Sequence, residues 1–283
     1  MQPIAIVGAS AADLAARLVD RLDGRTAVVN RTEGSSDEGV RGDDITDGGV
    51  AVETSADRTD ADTEVTLAAD GEWIGRGHVD GFDEVLDGLA PDHDYLVAVD
   101  GSRLRVPTIL IGADAEADDV PGPVVATAKT AADVDLDGLI AEIDAAEPWI
   151  TREALVRRVE SAADADRAGA IATFTGRVRA RDAPGDDRTT HLAFEKYEGV
   201  AAERMAAIED ELTERDGVFD VRMHHRTGVI EAGEDIVFVV VLAGHRGEAF
   251  RTVEDGIDRL KDEVPIFKKE TTEAEEFWVH RRD

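Results

Sequence analysis

Residues 235–263 read DIVFVVVLAGHRGEAFRTVEDGIDRLKDE, and this stretch decides how the second half of the chain is built. The apolar run Ile236–Ala243 is far short of a membrane span of about 20 residues and reads as a strand beginning at Asp235. Gly244 ends it, and helical spacing takes over from Glu248 to Glu263. The strand-to-helix junction carries His245 and Arg246. Free backbone N–H groups and the positive end of the helix dipole make such a junction suitable for an anion, which these two side chains would strengthen. A solvated helix cap is the competing reading of the same pair. At the far end of the helix sits Lys261, where the dipole favours a cation for structural reasons alone. Beyond it Pro265 opens a short strand to Lys269, in which Lys268 and Lys269 point to opposite faces. A last strand runs from Glu276 to His280.

Working back from this stretch, a second unit starts near Trp149, with a helix from Thr151 to about Ala163. Strands are expected at Gly169–Thr175, Thr190–Lys196 and Phe219–Arg226, with a long helix from Val200 to Arg215. Neighbouring strands without helical crossovers predict an α+β domain over residues 148–283 with a mainly antiparallel sheet. The segment from Gly169 to Arg179 alternates into a loop, and period-two geometry turns Arg177 and Arg179 to one side, toward a shared ligand or toward water.

The first half, residues 1–147, is of another kind. Ile4–Val7, the turn Gly8-Ala9-Ser10 and an Ala/Leu-rich segment to Leu22 read as strand, tight turn and helix, followed by a strand at Thr26–Asn30. Further strands are expected at Glu64–Ala68, Tyr95–Val99 and Thr108–Gly112, with helices at Gly81–Leu89 and Val134–Ala146. This reads as an α/β domain with a Rossmann-like or P-loop-like beginning. Residues 31–64, rich in Gly, Ser, Asp and Thr, read as an acidic loop or insert. A working phosphate loop laid on Gly8 needs Gly, Lys and Ser or Thr at positions 13 to 15. The chain has Asp13, Leu14 and Ala15, which argues against nucleotide hydrolysis.

Composition narrows the chemistry. Lys+Arg is 31 against Asp+Glu 63, a formal net charge of −32, so phosphate backbones and anionic lipid should repel the chain. Neither nucleic acid nor a membrane is an expected partner. With 42% hydrophobic residues the acid coats folded domains, as in a salt-adapted cytosol, and a cytoplasmic location is expected. The absence of cysteine excludes disulfides, thiolate nucleophiles and iron–sulfur clusters. Only five lysines occur, at 129, 196, 261, 268 and 269, in a chain otherwise using arginine. A lysine amine can give up its proton when desolvated, which arginine cannot, and three of the five fall within nine residues.

Several segments, in order, resemble one family. They are Thr173-Phe-Thr-Gly-Arg-Val-Arg179, Leu192-Ala-Phe-Glu-Lys-Tyr197, His224-His-Arg-Thr-Gly228, Gly244-His-Arg-Gly-Glu-Ala-Phe250, Leu260-Lys-Asp-Glu-Val-Pro-Ile-Phe-Lys-Lys-Glu270 and the closing Phe277-Trp-Val279. Residues from about 150 to 283 look like the large, catalytic subunit of molybdopterin synthase, the MoaE family; Phe267 stands where that family commonly has Trp. The resemblance implies sulfur transfer from a small ubiquitin-like carrier of the MoaD type, ending in a Gly-Gly thiocarboxylate, to cyclic pyranopterin monophosphate. It implies Lys261 and Lys268 as catalytic residues, substrate contacts from Arg177, Val178, Arg179, His245, Arg246, Lys269 and Glu270, no metal and no cofactor, and a homodimer within a heterotetramer. The first half, with Tyr95–Gly101 and Pro107–Leu110, resembles a worn MobB-type P-loop protein of molybdenum-cofactor assembly. A noncatalytic protein that only holds the carrier or a phosphate metabolite remains the alternative, disfavoured by the retained lysines.

Overall fold

The computed structural model describes residues 1–30, 62–79, 81–101, 104–112, 120–181, 183–197, 199–272 and 276–279. Of the acidic loop or insert expected at 31–64, residues 31–61 lie outside the described residues. The chain divides into two compact units, one of Gln2–Leu89 with Asp94–Glu147, the other of Pro148–Asp283 joined by Met1 and Ala90–His93.

In the first unit five strands form a sheet in the order β2-β5-β1-β6-β7, and every neighbouring pair is parallel. They are β1 (Gln2–Gly8), β2 (Thr26–Asn30), β5 (Tyr95–Val99), β6 (Thr108–Ile111) and β7 (Val124–Ala128). All four residues of β6 are buried, as expected of parallel strands covered on both faces. Ile4, Ile6, Val97, Val99, Ile109 and Ile111 make one core with Leu14 and Leu18 of α1 (Ala11–Val19) and Leu139 and Ile143 of α3 (Leu136–Ala145). Between β5 and the earlier strands lies α2 (Phe82–Leu89). The strand expected at Glu64 forms, as β3 (Glu64–Leu67), but pairs outside this sheet in a hairpin with β4 (Trp73–Arg76). The turn after β1 is tight: Gly8 has φ +128°, and a Cβ there would fall 1.8 Å from the Ile111 carbonyl oxygen. At the position where a phosphate loop holds its lysine, Leu14 is fully buried in the core.

The second unit is α+β, with two antiparallel sheets where the sequence reading expected one. The first has the order β10-β12-β8, formed by β8 (Ala170–Arg177), β10 (Val218–His225) and β12 (Asp235–Ala243). The second has the order β11-β9-β13-β14, formed by β9 (Thr189–Lys196), β11 (Gly228–Glu231), β13 (Ile266–Thr272) and β14 (Glu276–Val279). Every residue of β12 from Val237 to Ala243 is buried because both of its faces are covered. Val237, Val239, Val241 and Ala243 pack with Ile208 and Leu212 of α5 (Val200–Thr213) and with Ile257 and Leu260 of α6 (Arg246–Glu263). Phe238, Val240 and Leu242 pack with Leu155 and Val159 of α4 (Arg152–Glu160), whose N-cap Thr151 accepts from the Ala154 N–H at 3.1 Å. A glycine lets α6 approach the sheet: a Cβ on Gly256 would lie 2.9 Å from Met223 Cε and 3.0 Å from Val239 Cγ1.

Candidate active site

The strand–helix segment β12–α6 spans the first sheet of the second unit and returns across it. β12 starts at Asp235, opposite Arg177 at the end of β8, and finishes at Ala243, opposite Ala170 at the start of β8. α6 then runs back over β8 and β12. Its first residue, Arg246, therefore lies at the Ala170 end of the sheet and its last turn, with Lys261, at the Arg177 end. Sixteen residues at a rise of about 1.5 Å separate His245 from Lys261 by roughly 24 Å. The helix is continuous over that distance. One chain thus holds its candidate residues in two groups.

The larger group is at the Arg177 end. Lys261 Nζ stands 5.8 Å from the centre of the Phe174 ring, on the face of β8 covered by α6. A cation over an aromatic face is held by the ring quadrupole while part of its hydration is displaced. The chain leaves α6 through the C-cap Val264 and enters β13 at Ile266, which brings Lys268 to the second sheet. Lys268 pairs with Phe194 of β9 and Glu270 with Leu192, so both share the face of the buried residues Leu192, Phe194 and Ile230. Lys269, opposite Ala193, takes the other face. The Thr189 hydroxyl donates to Glu270 Oε1 at 2.6 Å, which fixes that carboxylate.

Arg177 pairs with Asp235 at 3.0 Å and also donates to the Gly233 carbonyl, while most of its side chain stays exposed. Arg179 is exposed as well. Between them Val178 is 3% exposed and packs with Leu192, Phe194 and Ile230; its N–H donates to the Glu234 carbonyl and its own carbonyl accepts from Gly233. Its backbone and side chain are therefore engaged within the chain. His245 and Arg246, the smaller group, are both exposed. His245 occupies the N-cap position of α6 in extended conformation, and its side chain makes no capping hydrogen bond.

Sequence reasoning overlooked Phe174 and Thr189. Phe174 lies inside the Thr173–Arg179 segment, but its relation to Lys261 depends on the β8–β12 register, in which Phe174 opposes Val239 beneath α6. Three cationic side chains, Arg158, Lys196 and Arg226, also lie near His224. Desolvation, with Lys196, His225, Arg226 and Arg158 nearby, lowers the His224 pKa to about 3. Arg226 stacks 4.9 Å from the Trp149 ring centre and 5.7 Å from that of Phe238.

Over all 283 residues, covering 100% of both chains, the sequence is 52% identical to a "probable molybdopterin synthase" of Haloferax volcanii. The chain belongs to the molybdopterin synthase family. Residues 147–263 match the family described as MoaE protein, so the segment that holds both groups of candidate residues up to Lys261 falls within it. The molybdopterin synthase catalytic subunit of Pyrococcus abyssi is 37% identical over 111 residues, 39% of this chain and 74% of that one. A crystal structure of molybdopterin synthase from Staphylococcus aureus aligns at 32% identity, covering 48% of this chain and 93% of that chain, with a TM-score of 0.42. The Haloferax relative extends the likeness through the N-terminal unit, which the MoaE match does not reach. The chain is accordingly a molybdopterin synthase catalytic subunit of molybdenum-cofactor biosynthesis with an additional N-terminal unit.

Proposed function

We propose that this chain transfers sulfur from a MoaD-type carrier, ending in a Gly-Gly thiocarboxylate, to cyclic pyranopterin monophosphate, forming the dithiolene of molybdopterin. The observation that carries the reading is Lys261 over Phe174 at the Arg177 end of the β8–β12–α6 layer, with Lys268 seven residues on in β13, in a chain of formal net charge −32. Such a site must bind an anionic cyclic phosphate, admit a narrow extended tail, stabilise an oxygen leaving group and move protons. Arg177, Arg179, His245 and Arg246 suit the anion. Lys261 and Lys268 suit proton transfer and leaving-group stabilisation, and Lys269 and Glu270 shape the substrate site. Incubation with cyclic pyranopterin monophosphate and thiocarboxylated carrier should yield molybdopterin; no product from the folded chain would refute the assignment.

The same reading requires two chains per site. A separation of roughly 24 Å between His245 and Lys261 is too great for one small substrate to bridge. A two-fold partner closes the gap by supplying its own His245 and Arg246, and symmetric dimers are the commonest oligomers. Mixing an Arg246→Ala chain with a Lys261→Ala chain should restore activity that neither parent has. Failure of that mixture, with mixed dimers demonstrated, would put the whole site in one chain.

For the first unit we infer a P-loop-like frame without nucleotide function. Parallel strands in the order β2-β5-β1-β6-β7 and the tight turn after β1 support the frame. Buried Leu14 at the lysine position and Asp13 in the first turn of α1 oppose phosphate binding. The full chain should show no magnesium-dependent uptake of ATP or GTP, and tight binding of either would reverse this inference.

A further inference from the structure

The buried face of the second sheet carries one charge more than the candidate site so far contains. Leu192, Phe194 and Lys196 of β9 point to this face, and so do their opposed residues in β13, which are Glu270, Lys268 and Ile266. Its floor is apolar, since Leu192 and Phe194 pack with Val178 and Ile230. Three charged residues stand on it. Lys268 and Glu270 are members of the candidate site, and Lys196 is the third. Lys196 opposes Ile266, which lies two residues beyond the α6 C-cap Val264 and two before Lys268. Diagonal neighbours across paired strands, such as Lys196 and Lys268, lie about 7–8 Å apart, within reach of long side chains.

The surroundings of Lys196 keep its charge over this floor. The residue is half-buried. The end of β10 meets the same face, where the His225 ring stands edge-on to that of Phe194 at 4.8 Å. Of the charges that act on His224, the neighbour of His225 in β10, that of Lys196 is the largest. The ammonium is therefore directed toward the β10 end of the face, with its stem on apolar residues. A charge in such a place is screened by salt less than one at the surface.

Sulfur transfer from a carrier brings two anions to the site. One is the cyclic phosphate, to which the exposed Arg177 and Arg179 offer planar forks. The other is the end of the carrier itself, a thiocarboxylate before transfer and a carboxylate after it. We propose that Lys196 binds this end of the carrier tail beside Lys268, as a further substrate-binding residue of the site. This inference rests on the sulfur-transfer reading. A Gly-Gly tail has no side chains to hold it off the floor of Leu192 and Phe194, so it can lie flat there with its terminal charge between two ammonium groups. Both forms of the end carry one negative charge. Lys196 therefore holds the tail in place without exchanging a proton, and leaves proton transfer to Lys261 and Lys268.

The test uses the full-length chain at high salt, where exposed charge contacts are screened. A MoaD-type carrier is made in two forms, one ending in the Gly-Gly carboxylate and the other in the carboxamide. The unaltered chain should bind the carboxylate form more tightly by calorimetry. Lys196→Gln, which keeps most of the stem, should reduce that preference about tenfold, as expected for a lost charge-assisted hydrogen bond, and should bind the carboxamide form as before. Lys196→Arg should retain the preference. In turnover, Lys196→Gln should raise KM for the thiocarboxylated carrier and leave KM for cyclic pyranopterin monophosphate unchanged. An unchanged preference in Lys196→Gln would overturn the assignment. So would an equal loss of both carrier forms, which would make the residue structural. Product formation by the unaltered chain decides the parent reading separately: with product, either of these results removes Lys196 alone, whereas no product removes sulfur transfer itself.

Discussion

The choice of lysine at position 261 matters more than its charge. An arginine there would preserve the positive charge over Phe174 and the favourable position in the last turn of α6, yet its guanidinium keeps its proton at any working pH. Lys261→Arg should therefore fold normally and lose at least a hundredfold in kcat for molybdopterin formation, the usual range of a lost acid–base group. Turnover like that of the unaltered chain would reduce Lys261 to an electrostatic role. His224 makes a different prediction, about stability. Burial, then Lys196, His225, Arg226 and Arg158, holds its folded pKa near 3, well below its ordinary value of 6.5. A depressed histidine leaves the unfolded chain binding the extra proton between these values, so stability is intact above pH 6.5 and falls as the pH drops toward 3. At pH 5 the loss should be about 1–2 kcal/mol. His224→Phe should flatten chemical-denaturation stability between pH 6.5 and 4.5. An unchanged slope in that variant would assign the acid sensitivity to other groups.

Helix α6 is positioned by what is missing from it. Gly256 lacks the Cβ that would press on Met223 and on the fully buried Val239. Met223 can move its terminal methyl, whereas Val239, with both faces of β12 packed, cannot. Gly256→Val should cost about 1–3 kcal/mol by overpacking, despite removing a helix glycine, and should lower activity by tilting Lys261 away from Phe174. Full stability and activity in that variant would show that the close approach is not needed. The elements bounded most securely from sequence were those with uniform apolar signals: β12 at Asp235–Ala243 and β5 at Tyr95–Val99. Strands with weaker signals escaped. β4, β7 and β11 have four or five residues each and too little alternation to stand out from the loops around them. Nor could one sheet be told from two, because β9 and β13 pair with each other across some 70 residues and nothing local encodes that choice. For the site, residue types and their order were legible, and the roughly 24 Å division between His245 and Lys261 followed from helix rise. The Phe174–Lys261 contact and the burial of Val178 required the register.

At the scale of the whole chain, charge sets the conditions under which any of this operates. A formal net charge of −32 on 283 residues repels itself, and compaction into two folded units brings those charges closer together. Favourable pairs oppose this in places. Arg204 and Arg259 both bridge Glu211 and Glu263, tying α5 to α6 in a four-membered network. Exposed pairs of this type contribute about 0.2–1 kcal/mol each and are themselves screened by salt. The repulsion involves every excess carboxylate, and it is screened far more extensively when the Debye length falls from about 10 Å at 0.1 M to about 3 Å at 1 M. The balance therefore favours salt. The melting temperature should rise monotonically from 0.1 M to 2 M potassium chloride, and the same rise should follow with sodium chloride, since screening depends on ionic strength and not on the cation. The association of two chains that the proposed shared site requires should respond still more steeply than the fold of one chain, because it brings like charge together. Sedimentation across the same series should show monomer at low salt converting to dimer, with molybdopterin synthesis following the dimer fraction. A melting temperature that falls with added salt would mean that the ion pairs, and not the excess charge, govern the stability of the chain.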